Sequence, residues 1–398
     1  MKRSTRRLLW VLGAIFLILA GVGGYVFYIS TNAVLSQAED FQFRRMRVAQ
    51  VGDENVFRFF FVSNRVAADG AEPLEQRLGA ERGRELQFGS FDTEIEPTLG
   101  LGRWLDASSW FLDEEINILN VQSMDRTAYV NQLRGMISRS PHRGLLILVH
   151  GLRTDFDFAL RGTAFLAHVL DINAPVMVFD WPANQGSSLR SYRRAQQLAS
   201  ASGAELADLL RLILRDVRPD KLWLVANSLA GQVVVDAVGL LAHDSELADA
   251  EPEIDHVVLT APDVSRTGFK GGFKEDLASL VKHTTIYVSS NDRALLLSRV
   301  VNLGARLGQS TLSKADAELV DEVQDLLALL EPGGTGVTLV DVTPVNRTRN
   351  FHNFSLEVPE YFDDMYLRLV NPGTPLNRLR YQFVTPAGST YSVLTRAR

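Results

Sequence analysis

The sequence predicts an α/β fold in which a mostly parallel central sheet is covered by helices on both faces. Short apolar runs, rich in Val, Ile and Leu and closed by polar residues, glycine or proline, are typical of buried parallel strands. Helical patterns lie between these runs, and strands that alternate with helices form parallel sheets. The runs are 55–64, 116–121, 145–150, 176–181, 222–227, 256–262, 284–290 and 337–342.

The N-terminus predicts one transmembrane helix ahead of this fold. Residues 8–29 carry no charge, and as a helix they would extend about 33 Å, enough to cross a hydrocarbon core of about 30 Å. Four cationic residues precede them and favour a cytoplasmic N-terminus, with the body on the periplasmic side of a bacterial membrane. A cleaved signal peptide is the alternative, but its apolar region is usually about 7–15 residues long. The cationic residues are Lys2, Arg3, Arg6 and Arg7.

Composition shifts predict the division of the chain. Residues 1–30 form a cytoplasmic stub and the anchor, 31–54 a polar stalk, 55–372 the folded domain and 373–398 a C-terminal extension. The segment 65–140 is less regular and suggests long loops around the run at 116–121. The clearest helical patterns occupy 191–215, 233–241 and 319–330.

Composition also excludes several kinds of chemistry. The 398-residue chain has no cysteine, which rules out disulfides, zinc–thiolate sites and a cysteine nucleophile. Its net charge is −6 despite the basic N-terminus, and an acidic body argues against binding nucleic acid. Phosphate-binding, zinc-protease and calcium-loop motifs do not occur. We therefore expect no cofactor or metal, and the oligomeric state stays open.

The strongest candidate for a nucleophile is Ser228, in the sequence ANSLAG at 226–231. A strand run leads directly into Ser228 and a helical pattern follows, which is the context of a nucleophile elbow. The helix N-terminus favours negative charge that develops there. The usual pattern is G-x-S-x-G, whereas here alanine occupies both glycine positions and Gly231 follows. A serine that only caps the helix is the alternative interpretation.

Chain order identifies a base and an acid. In sites of this kind the serine is followed along the chain by an acid and then by a histidine. Of the seven histidines, only His352 lies beyond Asp292. Asp292 and Asp263 both follow apolar runs and compete as the carboxylate that orients the imidazole. We favour Asp292 and expect Asp263 to cap the next segment or line the site.

The residues after the run at 145–150 predict an oxyanion hole. Backbone N–H groups in this loop and directly after the nucleophile stabilise the oxyanion in such enzymes, which points to Leu152 and Leu229. Other residues here can line the site, namely His150, Gly151 and Asn227. For His150 we favour a structural role, in which hydrogen bonds tie neighbouring loops together, over direct proton transfer.

Several segments together resemble a bacterial α/β-hydrolase family of unknown function with esterase- and lipase-like members. They are FFVSNR (60–65), FGSFDTEI (88–95), LVHGLRTDF, FDWPANQGS, ANSLAG, LTAPDVS, YVSSNDRALLLS and NFHNF, and they span roughly residues 55–370. The resemblance implies the α/β-hydrolase fold, a Ser-Asp-His triad and hydrolase activity, but no particular substrate.

The chain departs from that family in two motifs. The family elbow usually reads A-H-S-M-G-N, whereas here Asn227 replaces the histidine, Ala230 the glycine and Gly231 the asparagine. The histidine motif usually reads G-H-S-Y-F, and here His352 lies in FHNF at 351–354.

The function expected from these observations is that of a membrane-anchored serine hydrolase acting on a small-molecule or lipid-like carboxylic ester. Two alternatives stay open. One is a protein of the same fold that binds ligands or partners without turnover, which the altered elbow favours. The other is an amidase or peptidase, since amides and esters are cleaved by the same acyl-enzyme chemistry.

Alkaline phosphatase fused to the C-terminus should be active in bacterial cells, because the basic N-terminus keeps that end of the helix in the cytoplasm. A C-terminal reporter that works only in the cytoplasm should be inactive. Activity of both fusions, assayed in whole cells, checks the orientation, and the reverse pattern would contradict it.

Overall fold

Short strands that are apolar on both faces form the centre of the sheet in this computed structural model. β4 (Gly144–Val149) and β5 (Val176–Asp180) are buried at every position. β6 (Lys221–Asn227) is buried at all but its two ends. Burial on both faces is the expected property of parallel strands covered by two layers of helices.

The structure describes residues 46–52, 55–70, 72–95, 116–244, 253–264, 274–289, 337–346, 354–371, 380–384 and 390–395. All of them belong to one compact unit. The predicted anchor, the predicted helix at 319–330, Asp292 and His352 lie outside the described residues. Among the helices that are described, none is both long enough and apolar enough to cross a membrane.

The described sheet has eleven strands in the order β10-β11-β9-β8-β7-β6-β4-β5-β1-β2-β3. The central strands are all parallel to one another, which confirms the predicted mostly parallel sheet. In spatial order they are β1, β5, β4, β6, β7, β8, β9 and β11. Antiparallel pairs add β2 and β3 at one edge and β10 at the other. The remaining strands are β1 (Val56–Ala67), β2 (Leu78–Ile95), β3 (Ile116–Met124), β7 (Ile254–Thr260), β8 (Val281–Val288), β9 (Val337–Asp341), β10 (Arg380–Val384) and β11 (Thr390–Leu394).

Helices connect the parallel strands. In chain order they are α1 (Leu74–Arg77), α2 (Arg126–Arg139), α3 (Phe156–Leu170), α4 (Leu189–Leu212), α5 (Ala230–Ala242), α6 (Lys274–Leu280), α7 (Phe354–Glu357) and α8 (Pro359–Val370). A single π-helical turn, Ile213–Val217, continues α4.

Alternate side chains of β1 show that the helices cover both faces of the sheet. Phe61 packs against Phe156 of α3, with ring centroids 5.1 Å apart. Phe60 points the other way and packs against Tyr129 of α2 at 5.6 Å. Asn64 shares the face of Phe60 and donates hydrogen bonds to Ser202 and Glu205 of α4. The α3 face also carries α8, through Phe165 and Phe362.

The segment 65–140 is more regular than the sequence pattern suggested, since it contains β2 and α2. The helix α2 begins at an N-cap residue that is recognisable in the sequence, Asp125, whose side chain accepts hydrogen bonds from the backbone N–H groups of Thr127 and Ala128. Its buried side chains follow helical spacing. They are Tyr129, Val130, Leu133, Met136 and Ile137. β2 lacks an apolar run because most of its first half is not buried, and because charged Asp92 and Glu94 alternate with its last buried positions.

Two segments assigned to the ends of the chain contribute to this unit. Met46, from the expected stalk, is buried, and its backbone N–H donates to the Asp171 carboxylate at 2.9 Å. The expected C-terminal extension contains β10 and β11, which pair with each other and with β9.

A buried cluster of charged and polar groups joins β1, β5 and the end of β4. Arg65 Nε donates to Asp180 Oδ2 at 2.8 Å, and both side chains are almost fully buried. Ser63 Oγ donates to the same oxygen at 2.6 Å, and His150 Nε2 lies 2.9 Å from Asp180 Oδ1. Arg65 also donates to the carbonyl oxygens of Thr154 and Trp181.

The charge of Arg65 keeps Asp180 ionised in this cluster. Burial by itself would raise the pKa of Asp180, but the Arg65 guanidinium and the hydrogen bond with His150 outweigh it. The pKa of Asp180 therefore lies below its ordinary value. The stability that this ionisation provides is present above the ordinary carboxyl pKa and is lost as the pH falls through the lowered one.

Replacing Asp180 with asparagine should lower the free energy of unfolding by about 3–5 kcal/mol, because it leaves Arg65 buried without a counter-charge. Asp220→Asn is the matched control, since Asp220 pairs with Arg143 at the surface with both side chains more than half exposed. That loss should stay below about 1 kcal/mol. Urea unfolding at neutral pH measures both, and equal losses would contradict the role given to Asp180.

Candidate active site

The turn between β6 and α5 holds Ser228 in a left-handed backbone conformation. Its φ is +56°, β6 ends at Asn227 and α5 begins at Ala230. A non-glycine residue with this φ costs about 1–3 kcal/mol, and such strain is concentrated at functional sites. The Ser228 N–H donates to the Thr260 carbonyl at 2.8 Å, and the Ser228 carbonyl accepts from the Asp263 and Gly231 N–H groups at 3.0 Å.

Gly231 meets the need for close packing that the elbow glycine normally meets. A Cβ at Gly231 would lie 3.0 Å from Val264 Cγ2 and 3.1 Å from Pro262 Cβ. Ala230, at the usual glycine position, is fully buried. The closely packed glycine is therefore residue 231 rather than residue 230, and the turn accommodates an alanine at residue 230.

The loop after β4 passes directly against this turn. A Cβ on Gly151 would lie 3.1 Å from the Asn227 carbonyl oxygen and 3.3 Å from Ser228 Cβ, so a larger residue would crowd the nucleophile. Within the described part of the chain, the backbone N–H groups of Leu152 and Leu229 donate no hydrogen bond. The loop thus brings one uncommitted donor to the elbow, and the turn supplies a second.

His150 is held by contacts that fit a structural role. Its Nε2 faces the Asp180 carboxylate, and its ring stacks on Trp181 with an interplanar angle of 5°. The Trp181 indole N–H donates to the His150 carbonyl at 2.8 Å. These contacts attach the loop after β4 to the end of β5, and they leave the position of Gly151 little freedom.

Asp263 lies beside the elbow but is directed toward α4. Its carboxylate accepts a hydrogen bond from the Tyr192 hydroxyl at 2.5 Å, and Gln196 donates to the same hydroxyl at 3.0 Å. Both residues come from the first turns of α4, which covers the sheet face opposite α3. The sequence pattern did not single out Tyr192, because a tyrosine in a polar helix start carries no motif.

Asp292 and His352 lie outside the described residues, whereas β8, which precedes Asp292 in the sequence, and α7, which follows His352, are described. Asp292 follows β8 closely, and Ser289 at the end of that strand accepts a hydrogen bond from Asn346 at 2.9 Å. His352 directly precedes α7, where Ser355 and Leu356 line a cavity together with Asn227. Both neighbouring segments therefore lie at the sheet edge that carries Ser228.

The sequence matches one family model, and the fold is similar to several solved structures. The family model described as alpha/beta hydrolase of unknown function (DUF900) matches residues 125–358, more than half of the chain. The chain matches none of the curated proteins with which it was compared.

The solved structures are distant. An uncharacterised protein from Capnocytophaga ochracea DSM 7271 shares 13% identity at a TM-score of 0.30, with 59% of this chain and 57% of that chain covered. A Pyrobaculum calidifontis esterase shares 12% at 0.35, covering 86% and 93%. A thermophilic esterase from the Planctomycetes species Thermogutta terrifontis shares 11% at 0.32, covering 59% and 86%. This chain thus spans less than two thirds of the Capnocytophaga protein.

Such distant likenesses transfer no activity to this chain. The family model, by contrast, covers the central strands from β4 to β9 and the turn that carries Ser228. Because that match extends over more than half of the sequence, the chain belongs to the α/β hydrolase family of unknown function.

Proposed function

We propose that this chain is a serine hydrolase that cleaves carboxylic esters through an acyl-enzyme. The observation that carries the proposal is the left-handed turn at Ser228, located where a central parallel strand meets a helix. In open parallel sheets, ligands bind outside the carboxyl ends of the strands, which is where this turn lies. A serine that only capped a helix would not need this strained, left-handed backbone conformation.

In the proposed mechanism, Ser228 Oγ attacks the ester carbonyl carbon while His352 accepts the hydroxyl proton. The backbone N–H groups of Leu152 and Leu229 stabilise the oxyanion that forms. His352 then donates the proton to the departing alcohol. Water, deprotonated by His352, attacks the acyl carbonyl carbon. The bond to Ser228 Oγ then breaks, His352 returns the proton to Oγ, and the carboxylic acid is released.

Asp292 is the acid that orients His352 in this proposal. The carboxylate of the other candidate, Asp263, is engaged by Tyr192 on the α4 face of the sheet. His352 instead precedes α7, which lines a cavity on the α3 face. Asp263 thus serves to hold the elbow and line the site, through its N–H bond to the Ser228 carbonyl.

The altered elbow is the main reason to consider a protein that binds without turnover. The position of Gly231 weakens that argument, since the turn keeps its left-handed serine and its close packing. An amidase or peptidase would use the same groups, and only the choice of substrate distinguishes it.

Residues 8–29 anchor the enzyme in a membrane in this proposal, with the hydrolase domain outside the cytoplasm. The uncharged stretch and the four cationic residues ahead of it support this placement. The substrate is then a small-molecule or lipid-like ester that reaches the periplasmic side, and nucleic acid is not a partner.

Ser228→Ala and His352→Ala should each lower ester hydrolysis about 10⁴-fold or more, since removing either triad member disables the acyl transfer. The double variant should be hardly slower than either single one, because the two residues act as one unit. Asp292→Asn should cause a comparable or smaller loss. Initial rates with a short-chain p-nitrophenyl ester measure all four variants.

Two controls accompany these variants. Asp263→Asn should retain more activity than Asp292→Asn, and the opposite order would exchange the roles of the two acids. A fluorophosphonate should label the wild type and Ser279→Ala, an exposed serine of α6, but not Ser228→Ala. Wild-type protein that neither reacts with the probe nor hydrolyses esters would establish the non-catalytic alternative.

A further inference from the structure

We propose that a cavity beside the elbow is the pocket for the acyl chain, and that it restricts hydrolysis to acyl groups of about four carbons or fewer. This inference rests on the proposed function. The cavity has a volume of about 70 Å³. It lies between the sheet and α3, and α7 and α8 border it on the same face.

The cavity begins next to the nucleophile. Asn227, which precedes Ser228 in the sequence, lines it, and so does Gly151, where a Cβ would lie 3.3 Å from Ser228 Cβ. A carbonyl carbon attacked by Ser228, with its oxygen directed at the Leu152 and Leu229 N–H groups, would therefore have its chain within reach of the opening.

The lining changes from polar to apolar with depth in the sheet. Side chains two residues apart on a strand share a face, so Val225 lies below Asn227, and Leu148 lies below His150. On β4 and β6 the polar lining residues are therefore at the carboxyl edge, near the elbow, and the aliphatic ones are deeper. An ester group at the opening and a hydrocarbon chain below match this gradient.

Two buried polar atoms in the lining have no hydrogen-bond partner among the described residues. Ser355 is 4% exposed, and its Oγ has no hydrogen-bond partner among the described residues. The Asn227 Oδ1 atom is likewise buried and unpaired in the described part of the chain. Buried polar groups are almost always paired, so a partner is expected at each atom. The Asn227 oxygen requires a donor, such as a water molecule. The Ser355 hydroxyl can donate to an ester oxygen.

The volume sets the length of the chain. A cavity of about 150 Å³ takes up benzene, which corresponds to about 25 Å³ for each carbon. The cavity here then holds about three carbons beyond the carbonyl carbon, as in a butyryl group. Longer chains exceed this volume.

Gly162 on α3 leaves this space open. It lines the cavity, and a Cβ built on it would have no atom within 4 Å. Valine at this position would add three carbons, about the number that the volume holds, and its Cβ would meet no atom within 4 Å. Gly135 on α2 is the matched control, because a Cβ there also meets no atom within 4 Å, and Gly135 does not line this cavity.

The test measures kcat/KM for p-nitrophenyl acetate, butyrate, hexanoate and octanoate. We expect the kcat/KM of the wild type to fall about tenfold or more between butyrate and octanoate, because about four carbons of the octanoyl chain no longer fit. Gly162→Val should lower the butyrate value about 10- to 100-fold while acetate changes less than about threefold. Gly135→Val should keep the wild-type ratio of butyrate to acetate. Gly162→Ala, a substitution that favours the helix, should show the same trend more weakly.

The results separate this inference from the proposed function. Equal rates for octanoate and butyrate in the wild type, or an unchanged butyrate-to-acetate ratio in both Gly162 variants, would overturn the pocket while ester hydrolysis stands. Absence of hydrolysis for every ester, together with no fluorophosphonate labelling of Ser228, would overturn the proposed function and the pocket with it.

Discussion

The Asp180 carboxylate accepts hydrogen bonds from Ser63 and Arg65 of β1 and contacts His150 after β4. Three strand ends that are distant in the sequence therefore meet at one buried charge. Because the carboxylate is paired and hydrogen-bonded, the free-energy cost of its desolvation is offset. Without it, the desolvation of the buried Arg65 guanidinium would not be offset. The loop that carries Gly151 and Leu152 starts from this cluster, so the placement of the candidate oxyanion donors depends on it.

A second buried cluster of charged and polar groups positions the helix α8 on the sheet. Arg380 of β10 forms a bidentate pair with Asp364 of α8, and Tyr287 of β8 donates to that carboxylate at 2.6 Å. Tyr361 of α8 is hydrogen-bonded to Thr260 of β7 at 2.6 Å. These contacts hold α8 against β7, β8 and β10. The short helix α7, which precedes α8, lines the same cavity as Asn227, the residue before Ser228.

Much of the fold could be predicted because its signals are local. Each central strand is a continuous apolar run, and the strand–turn–helix sequence around Ser228 is a local pattern. The helix α2 was missed although its cap and its spacing were readable, and β2 was missed because charged residues interrupt its buried positions. Tyr192 and Ser355 gave no signal at all, because their importance comes only from what surrounds them.

The sequence by itself determined the order of strands and helices and the position of the strained turn, since these depend on neighbours a few residues apart. The tertiary structure decided which buried charges pair, as with Arg65 and Asp180. It also decided that Gly231 is the elbow residue packed closely against Pro262 and Val264. It also decided that Asp263 faces Tyr192 and that α3 leaves space at Gly162. Such features are contacts and volumes between distant segments, which no local pattern encodes.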